Sequence, residues 1–372
     1  MAGLRTAFAR AAFLNAVKRI QVGTLHVEFP DGSRRAFASN TPEPSATLRV
    51  LDDAFYAKVI FGGEIGFGEA YMDGLCASPD IVALVNLAIL NRRQVNLNRG
   101  IVKLVSRWRD RRRHEARRNT VEKAKENIHA HYDIGNSFYK LWLDETLTYS
   151  SAFFKKPDEP LADAQRNKYR MLCERAGIAS SDHVLEIGSG WGGFAIFAAS
   201  TYGCRATTIT ISKEQLDEAR RRVTEAGLDD CVKVEFMDYR DLQGTFDKIV
   251  SIEMFEAVGA EYFETFFKTC DRVLKPGGKI AMQVITVPDA DFANQVNGVN
   301  WIQKYVFPGG VLPSLAALRQ AITGTSLTMT DTEDIGLHYA VTLRQWRRRF
   351  WDKERELRAL GFDDRFMRTW DY

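Results

Sequence analysis

The sequence has little of what holds small secreted or metal-bound proteins together. Its 372 residues include five cysteines, Cys76, Cys173, Cys204, Cys231 and Cys270, an odd number with no CxxC spacing. That argues against a disulfide framework and a structural zinc site, and makes a reducing cytoplasm the natural compartment. The six histidines show no metal-ligand spacing, so no metal is expected. Long hydrophobic runs are missing too. Arg5, Arg10, Lys18 and Arg19 interrupt the apolar-leaning first 22 residues, which therefore lack the continuous run of a signal peptide or a spanning helix. Any meeting with a membrane is expected at its surface. Nor is there an excess of one charge: 51 Lys and Arg against 48 Asp and Glu leave a net +3, too little to name a partner.

What is present suits a globular protein of two domains. Residues 20–70 are expected to be β-rich. Val22, Leu25, Val27 and Phe29 partly alternate, Asp31-Gly32 supplies a turn, and ATLRVLD followed by FYAKVIFGG continues the pattern. A helix is expected from Ser78 to about Leu90. Residues 1–115 thus form a smaller N-terminal α+β domain, and residues 116–372 a catalytic one. In the latter, strand candidates at 183–187, 205–211, 232–236, 247–252 and 278–285 alternate with helical stretches, most clearly 213–227. Such repetition implies parallel pairing with right-handed crossovers, hence an α/β fold with a doubly wound, Rossmann-like sheet whose ligands lie at the carboxyl ends of its strands.

The strongest charge feature is 101–118, IVKLVSRWRDRRRHEARR. Lys103, Arg107, Arg109, Arg111, Arg112, Arg113, Arg117 and Arg118 stand against Asp110 and Glu115, with Ile101, Leu104, Val105 and Trp108 at helical spacing on one side. A basic amphipathic helix of this kind suits an anionic membrane surface, where each basic residue adds roughly 1 kcal/mol; a solvated interdomain helix would look the same. No base-reading module accompanies it, so nucleic acid is not expected.

The run VLEIGSGWGGFA places Gly188, Gly190, Gly192 and Gly193 between a strand and a helix, where glycine lets the backbone turn tightly and approach a ligand. Alone, this fits a dinucleotide or S-adenosylmethionine. A dinucleotide fold offers an acid about 20 residues further on, but that stretch reads RATTITISKEQ. Instead an acid, Glu186, precedes the first glycine, and FMDYRDL puts Asp238 and Tyr239 after the third strand. The combination favours S-adenosylmethionine. Tyr239 and Trp191 also suit ordinary packing.

HYDIGNSFYKLWLDETLTYSSAFF (131–154), VLEIGSGWGGFA, TITISKEQ, DYRDL, EMFEAVG, QKYVFPGGVLPS and IGLHYAVTLRQW together resemble the cyclopropane fatty acid synthase family from about residue 115 onward; GEIGFGEAYMDG (63–74) resembles its N-terminal domain. The resemblance implies methyl transfer from S-adenosylmethionine to the cis double bond of an unsaturated phospholipid acyl chain. The resulting carbocation loses a proton from the new methyl group and closes to a cyclopropane, with bound bicarbonate as the base. It implies a peripheral enzyme at the inner membrane face and admits a homodimer. Carried over residue by residue, Tyr149 and Ser150 lie beside the cofactor, Gly188 and Gly190 form its glycine turn, Thr210 and Gln215 its second-strand contacts, and Asp238 and Tyr239 its adenine side. Glu256 would help hold bicarbonate, Tyr339 orient it and Ile285 offer its backbone. Two positions depart from many bacterial members: Ser151 stands for Cys and Gln283 for His, as in longer plant-type relatives. Both keep hydrogen-bonding capacity, but Gln283 cannot carry positive charge. These departures leave open methylation without ring closure, or a lipid-binding relative without chemistry. His131 suits catalysis and helix-start packing equally.

Overall fold

The computed structural model describes residues 2–95 and 134–372, so the basic segment 101–118 and His131 lie outside the described residues. The chain divides into two compact units, one of residues 1–112 with 361–372 and one of residues 113–360.

The first unit contains α1 (Ala2–Val17), β1 (Thr24–Glu28), β2 (Arg34–Ala38), β3 (Ser45–Val50), α2 (Ala54–Met72), β4 (Cys76–Ala77) and α3 (Ile81–Leu90). Its sheet runs β2-β1-β3-β4, with β1 antiparallel to β2 but parallel to β3. Phe13 of α1 and Phe55, Tyr56 and Val59 of α2 pack with Val27 and Leu48 to form the core. Here one expectation fails. FYAKVIFGG does not continue the sheet but opens α2. Its aromatic and β-branched residues carry strand propensity, yet Phe55, Tyr56, Val59 and Ile60 fall at helical spacing, and all four are buried. Gly63, with φ 56° and ψ −135°, takes a non-helical conformation open to glycine that kinks α2 within its span. The helix expected from Ser78 begins at Ile81, where the Asp80 side chain accepts from Ala83 N–H as an N-cap.

The second unit contains α4 (Asn136–Trp142), α5 (Leu161–Ala176), β5 (His183–Ile187), α6 (Gly193–Tyr202), β6 (Arg205–Thr210), α7 (Lys213–Glu225), β7 (Val232–Phe236), β8 (Phe246–Ile252), α8 (Phe263–Val273) and β9 (Leu274–Gln283). There follow α9 (Asp289–Asn297), α10 (Trp301–Tyr305), α11 (Leu315–Ala321), α12 (Gly336–Asp352) and α13 (Glu354–Ala359). All five strands run parallel in the order β7-β6-β5-β8-β9. Strand alternation sends Val184 and Val250 to one face, against Leu172 and Cys173 of α5 and Phe194 of α6. Leu185, Ile187 and Ile249 go to the other, against Phe266, Phe267 and Cys270 of α8. This is the doubly wound architecture expected from the strand–helix alternation. β9 ends at Gln283, two residues before the expected limit, which puts Val284 and Ile285 just beyond the carboxyl edge of the sheet.

The last helix, α14 (Asp364–Asp371), belongs to the first unit. Tyr71 Oη donates to Asp371 Oδ2 at 2.6 Å, Arg365 pairs with Asp73 at 2.9 Å, and the Tyr372 ring lies 6.1 Å from Phe67 and 5.8 Å from Tyr71. Truncating Tyr372 to Ala removes both ring contacts and is expected to cost the first unit about 2 kcal/mol. Hydrogen exchange would report it as faster exchange of α2 amides with little change in β5–β9; unaltered α2 protection would contradict it.

Candidate active site and cofactor pocket

Between β5 and α6 the chain turns through Gly188 (φ 98°), Gly190 (φ 48°) and Gly192 (φ 83°). The turn is fixed from one side, since Ile209 O accepts from Gly188 N–H and Ser189 N–H at 3.1 and 2.9 Å. A Cβ at Gly188 would stand 2.8 Å from Met254 Cγ, and one at Gly193 2.5 Å from Tyr169 Oη, so glycine is required there for packing. At Gly190, by contrast, no atom lies within 4 Å of where a Cβ would be. Backbone left open in this way at the end of a parallel strand is where a ligand can approach.

The next strands frame the opening. Thr210 Oγ1 donates to Gln215 Oε1 at 2.9 Å and accepts from Ser212 N–H at 3.1 Å, tying the end of β6 to the start of α7. Glu186 is buried at 3% exposure and accepts from Thr208 Oγ1 at 2.6 Å. After β7, Asp238 is clasped by Arg240, whose Nε and Nη2 lie 2.8 and 2.6 Å from its two oxygens. Tyr239 packs edge-on against Phe266 at 5.4 Å, and its hydroxyl is buried without a hydrogen-bond partner. Trp191 is likewise buried, 4.9 Å from Tyr139, with Nε1 donating to Asn136 Oδ1. Tyr149 belongs to an aromatic wall, its ring 5.6 Å from Trp142, 5.3 Å from Trp346 and 6.2 Å from Phe307. The neighbouring Ser150 Oγ accepts from Lys168 Nζ at 2.5 Å.

Beyond β8 and β9 the remaining expected residues gather around two carboxylates. Ile285 N–H donates to Glu256 Oε1, while Glu256 Oε2 is buried without a partner. Ser151, Gln283 and Tyr339 do not turn to Glu256. They meet at Glu253, which the sequence reading passed over: its Oε1 accepts from Ser151 N–H and from Gln283 Nε2, both at 2.8 Å, and its carboxylate is hydrogen-bonded to Tyr339. Gln283 Nε2 also donates to Ser151 O at 3.0 Å. Glu253 has φ 46°, a left-handed conformation costing a side-chain-bearing residue roughly 1–2 kcal/mol. One signal for it stood in the sequence: it is the acid immediately after a core strand, at the sheet edge where α/β proteins hold ligands.

Burial sets the electrostatics of this region. It raises Glu256 to about 8, helped by the charge of Glu253 and opposed by the Ile285 N–H. Burial also raises Glu253, against the pull of Lys168, Gln283, Ser151 N–H and Tyr339. Glu186 is pushed up to about 8 by burial, against its Thr208 bond and Lys168. Lys168, with no exposed surface, is brought down to about 7 by burial although Glu253, Asp144 and Glu186 oppose the shift. A second residue missed from sequence, Lys168 gave no signal, because a lysine in the amphipathic α5 reads as solvent-facing.

Residues 119–372 match the family described as mycolic acid cyclopropane synthetase. The chain is 37% identical to the tuberculostearic acid methyltransferase UfaA1 of Mycobacterium tuberculosis, over 98% of this chain and 87% of that protein. It is 36% identical to the cyclopropane-fatty-acyl-phospholipid synthase of Escherichia coli, over 91% and 85%. Among solved structures it resembles the cyclopropane synthase MmaA2 of Mycobacterium tuberculosis, with TM-score 0.61 and 26% identity over 66% of this chain and 91% of that one. It resembles to the same degree, at 27% identity and equal coverage, the mycolic acid cyclopropane synthase CmaA1 complexed with SAH and CTAB.

The raised Glu256 carboxyl has a consequence for stability. The folded state keeps this proton up to about pH 8, whereas the unfolded chain releases it near 4.5. Wild-type stability relative to Glu256→Gln, which is neutral throughout, should therefore fall as pH rises from about 5 to 8 and level off above. Thermal melts at pH 5, 6.5 and 8 should show the variant gaining several degrees on the wild type; a pH-independent difference would contradict the assignment.

Proposed function

The chain belongs to the mycolic acid cyclopropane synthetase family and is an S-adenosylmethionine-dependent methyltransferase of the cyclopropane synthase type, and on that premise we propose how its residues divide the reaction. The cofactor supplies an electrophilic methyl group carried on sulfur. Gly188 and Gly190 with Glu186, Thr210 and Gln215 hold it at the ends of β5 and β6, Tyr149 and Ser150 border its reactive side, and Asp238, braced by Arg240, limits its adenine end. The open backbone at Gly190 is what supports this placement.

The acceptor is the cis double bond of an unsaturated acyl chain in a phospholipid. An alkene is a weak nucleophile, so alignment must supply much of the acceleration. The wall of Tyr149, Trp142, Trp346 and Phe307 provides the surface for that alignment and excludes water that would trap a cation. The wall carries exposed apolar surface of its own. Phe307 is 40% exposed, and Leu337, 87% exposed, directly precedes His338 and Tyr339. For the ring to close, a base must then take a proton from the transferred methyl group. The observation that carries the reading is the meeting of a ligand-ready glycine turn and an aromatic wall with two half-buried carboxylates on one edge of the sheet.

No helix among the described residues is long and apolar enough to cross a membrane. Access to lipid then falls to a surface-binding segment. The run 101–118 has the composition for it, and α1 of the first unit exposes Leu4 and Phe8. These features support a peripheral enzyme on an anionic bilayer.

Two measurements follow. Incubated with labelled S-adenosylmethionine and vesicles of unsaturated phospholipid, the protein should give fatty acids heavier by one CH2 that have lost the alkene signal. Labelled acyl chains that remain unsaturated or carry a simple branch would sink ring closure, and unlabelled lipid would sink the function. Separately, neutralising Arg111, Arg112 and Arg113 should weaken binding to anionic vesicles roughly tenfold or more and flatten its salt dependence. Unchanged sedimentation with vesicles would return the segment to a solvated helix.

A further inference from the structure

The resemblance that identified the site assigned Tyr339 and Ile285, with Glu256, to a bicarbonate ion, and set Ser151 and Gln283 beside them. In the structure these donors already have carboxyl partners within the chain. Ser151 N–H, the Gln283 amide and Tyr339 converge on the Glu253 carboxylate, and Ile285 N–H is held by Glu256. A carboxylate has the same planar pair of oxygens and the same charge as bicarbonate, so it satisfies the same donors. It also changes what the site can accept: a further anion would have to settle beside the Glu253 carboxylate while losing its hydration, and the site offers Lys168 as its nearby cation. The geometry points to Glu253 as the site's own base, its side-chain carboxylate standing where an exogenous bicarbonate would otherwise be held.

The chemistry balances without another reactant. Methyl transfer to one alkene carbon leaves a cation on the other. Glu253 takes a proton from the new methyl group, the electron pair of that C–H bond forms the third ring bond, and the cyclopropane is neutral. Glu253, now a carboxylic acid, returns the proton to solvent before the next cycle. Burial strengthens its proton affinity above that of an exposed carboxylate, the direction that favours a base. The positive φ of 46° has a place in this account, because it marks a backbone conformation that a glycine would occupy without penalty and that here carries an acid. Gln283 then does not need to titrate. An amide fixes a carboxylate without competing with it for the proton.

The inference rests on the proposed methylation of an acyl chain, so its test carries one arm that does not need turnover. In buffer stripped of carbon dioxide, wild-type ring formation should be unchanged; a tenfold or greater fall, restored by added bicarbonate, would overturn the proposal. Glu253→Gly, which suits the local backbone, should bind S-adenosylmethionine within twofold of wild type by equilibrium dialysis. It should lose at least a hundredfold in ring product and recover in part with added bicarbonate. Glu253→Gln, which fills the same space without a charge, should lose as much and not recover. Wild-type rates for either variant in stripped buffer would overturn the assignment. In the turnover-free arm, 13C-bicarbonate resonances should broaden with Glu253→Gly and not with wild type. Broadening by the wild type would show that the anion site is open and that Glu253 does not fill it. Should wild type label no lipid at all, the functional reading falls, and this last comparison still decides whether Glu253 occupies the anion site.

Discussion

Charge that has been taken away from water must be answered from within the protein, and the second unit is arranged around that demand. Lys168 has no exposed surface and lies in the fields of Glu186, Glu253 and Asp144; Glu253 in turn acts on Glu256. An isolated ion at such depth would cost several kcal/mol. Here each has fixed partners: Ser150 Oγ for Lys168, Thr208 for Glu186, Ile285 N–H for Glu256, and Ser151, Gln283 and Tyr339 for Glu253. The sheet makes this possible. Its parallel strands end together, so residues distant in sequence deliver short, directed donors to one edge.

Dryness and charge are usually opposed, yet alkylation of an alkene asks for both. The reacting carbon must be shielded from water, which would add to a cation, while something must stabilise that cation and take its proton. Aromatic rings meet the first need and part of the second, since their faces attract positive charge. Tyr149, Trp142 and Trp346 form such a wall beside Ser150 and Ser151. The carboxylates meet the rest. Holding one of them at φ 46° costs stability, and it persists because the surroundings fix it from several directions: its N–H donates to Gln283 O and its side chain is bound at both Ser151 and Gln283.

The catalytic sheet was legible in the sequence because each strand is short, apolar and followed by a helix with its own signals. Boundaries of β5 and β7 fell where expected, and the glycine turn was visible as a run of residues. The first unit was less so. A helix buried on nearly all sides has no polar face to give the 3.6-residue period, so α2 presented itself as β-rich through its Phe, Tyr, Val and Ile content. At the site, motif matching found Glu256, Ser151, Gln283, Ile285 and Tyr339 but not the acid that three of them address. Pairing between Ser151 and Glu253 spans 102 residues, and nothing local to either records it. Asp238 illustrates the converse: its position was evident, its clasp by Arg240 two residues away was not.

Glu253 and Glu256 are three residues apart and equally acidic in isolation, so any division of labour between them comes from their donors. Glu253 has donors on several sides, each of which favours the ionised form. Glu256 has the Ile285 N–H on one oxygen, while the other is buried with no partner, and the neighbouring negative charge disfavours a second ionisation. The first proton to leave this pair is therefore expected from Glu253, and the one retained at neutral pH from Glu256, which then acts as a neutral acid with a hydrogen to donate. A pair separated in this way has an acceptor and a donor of protons side by side. Like charges in a shared low-dielectric site cannot both persist, and it is the count and direction of hydrogen bonds that decide which one yields.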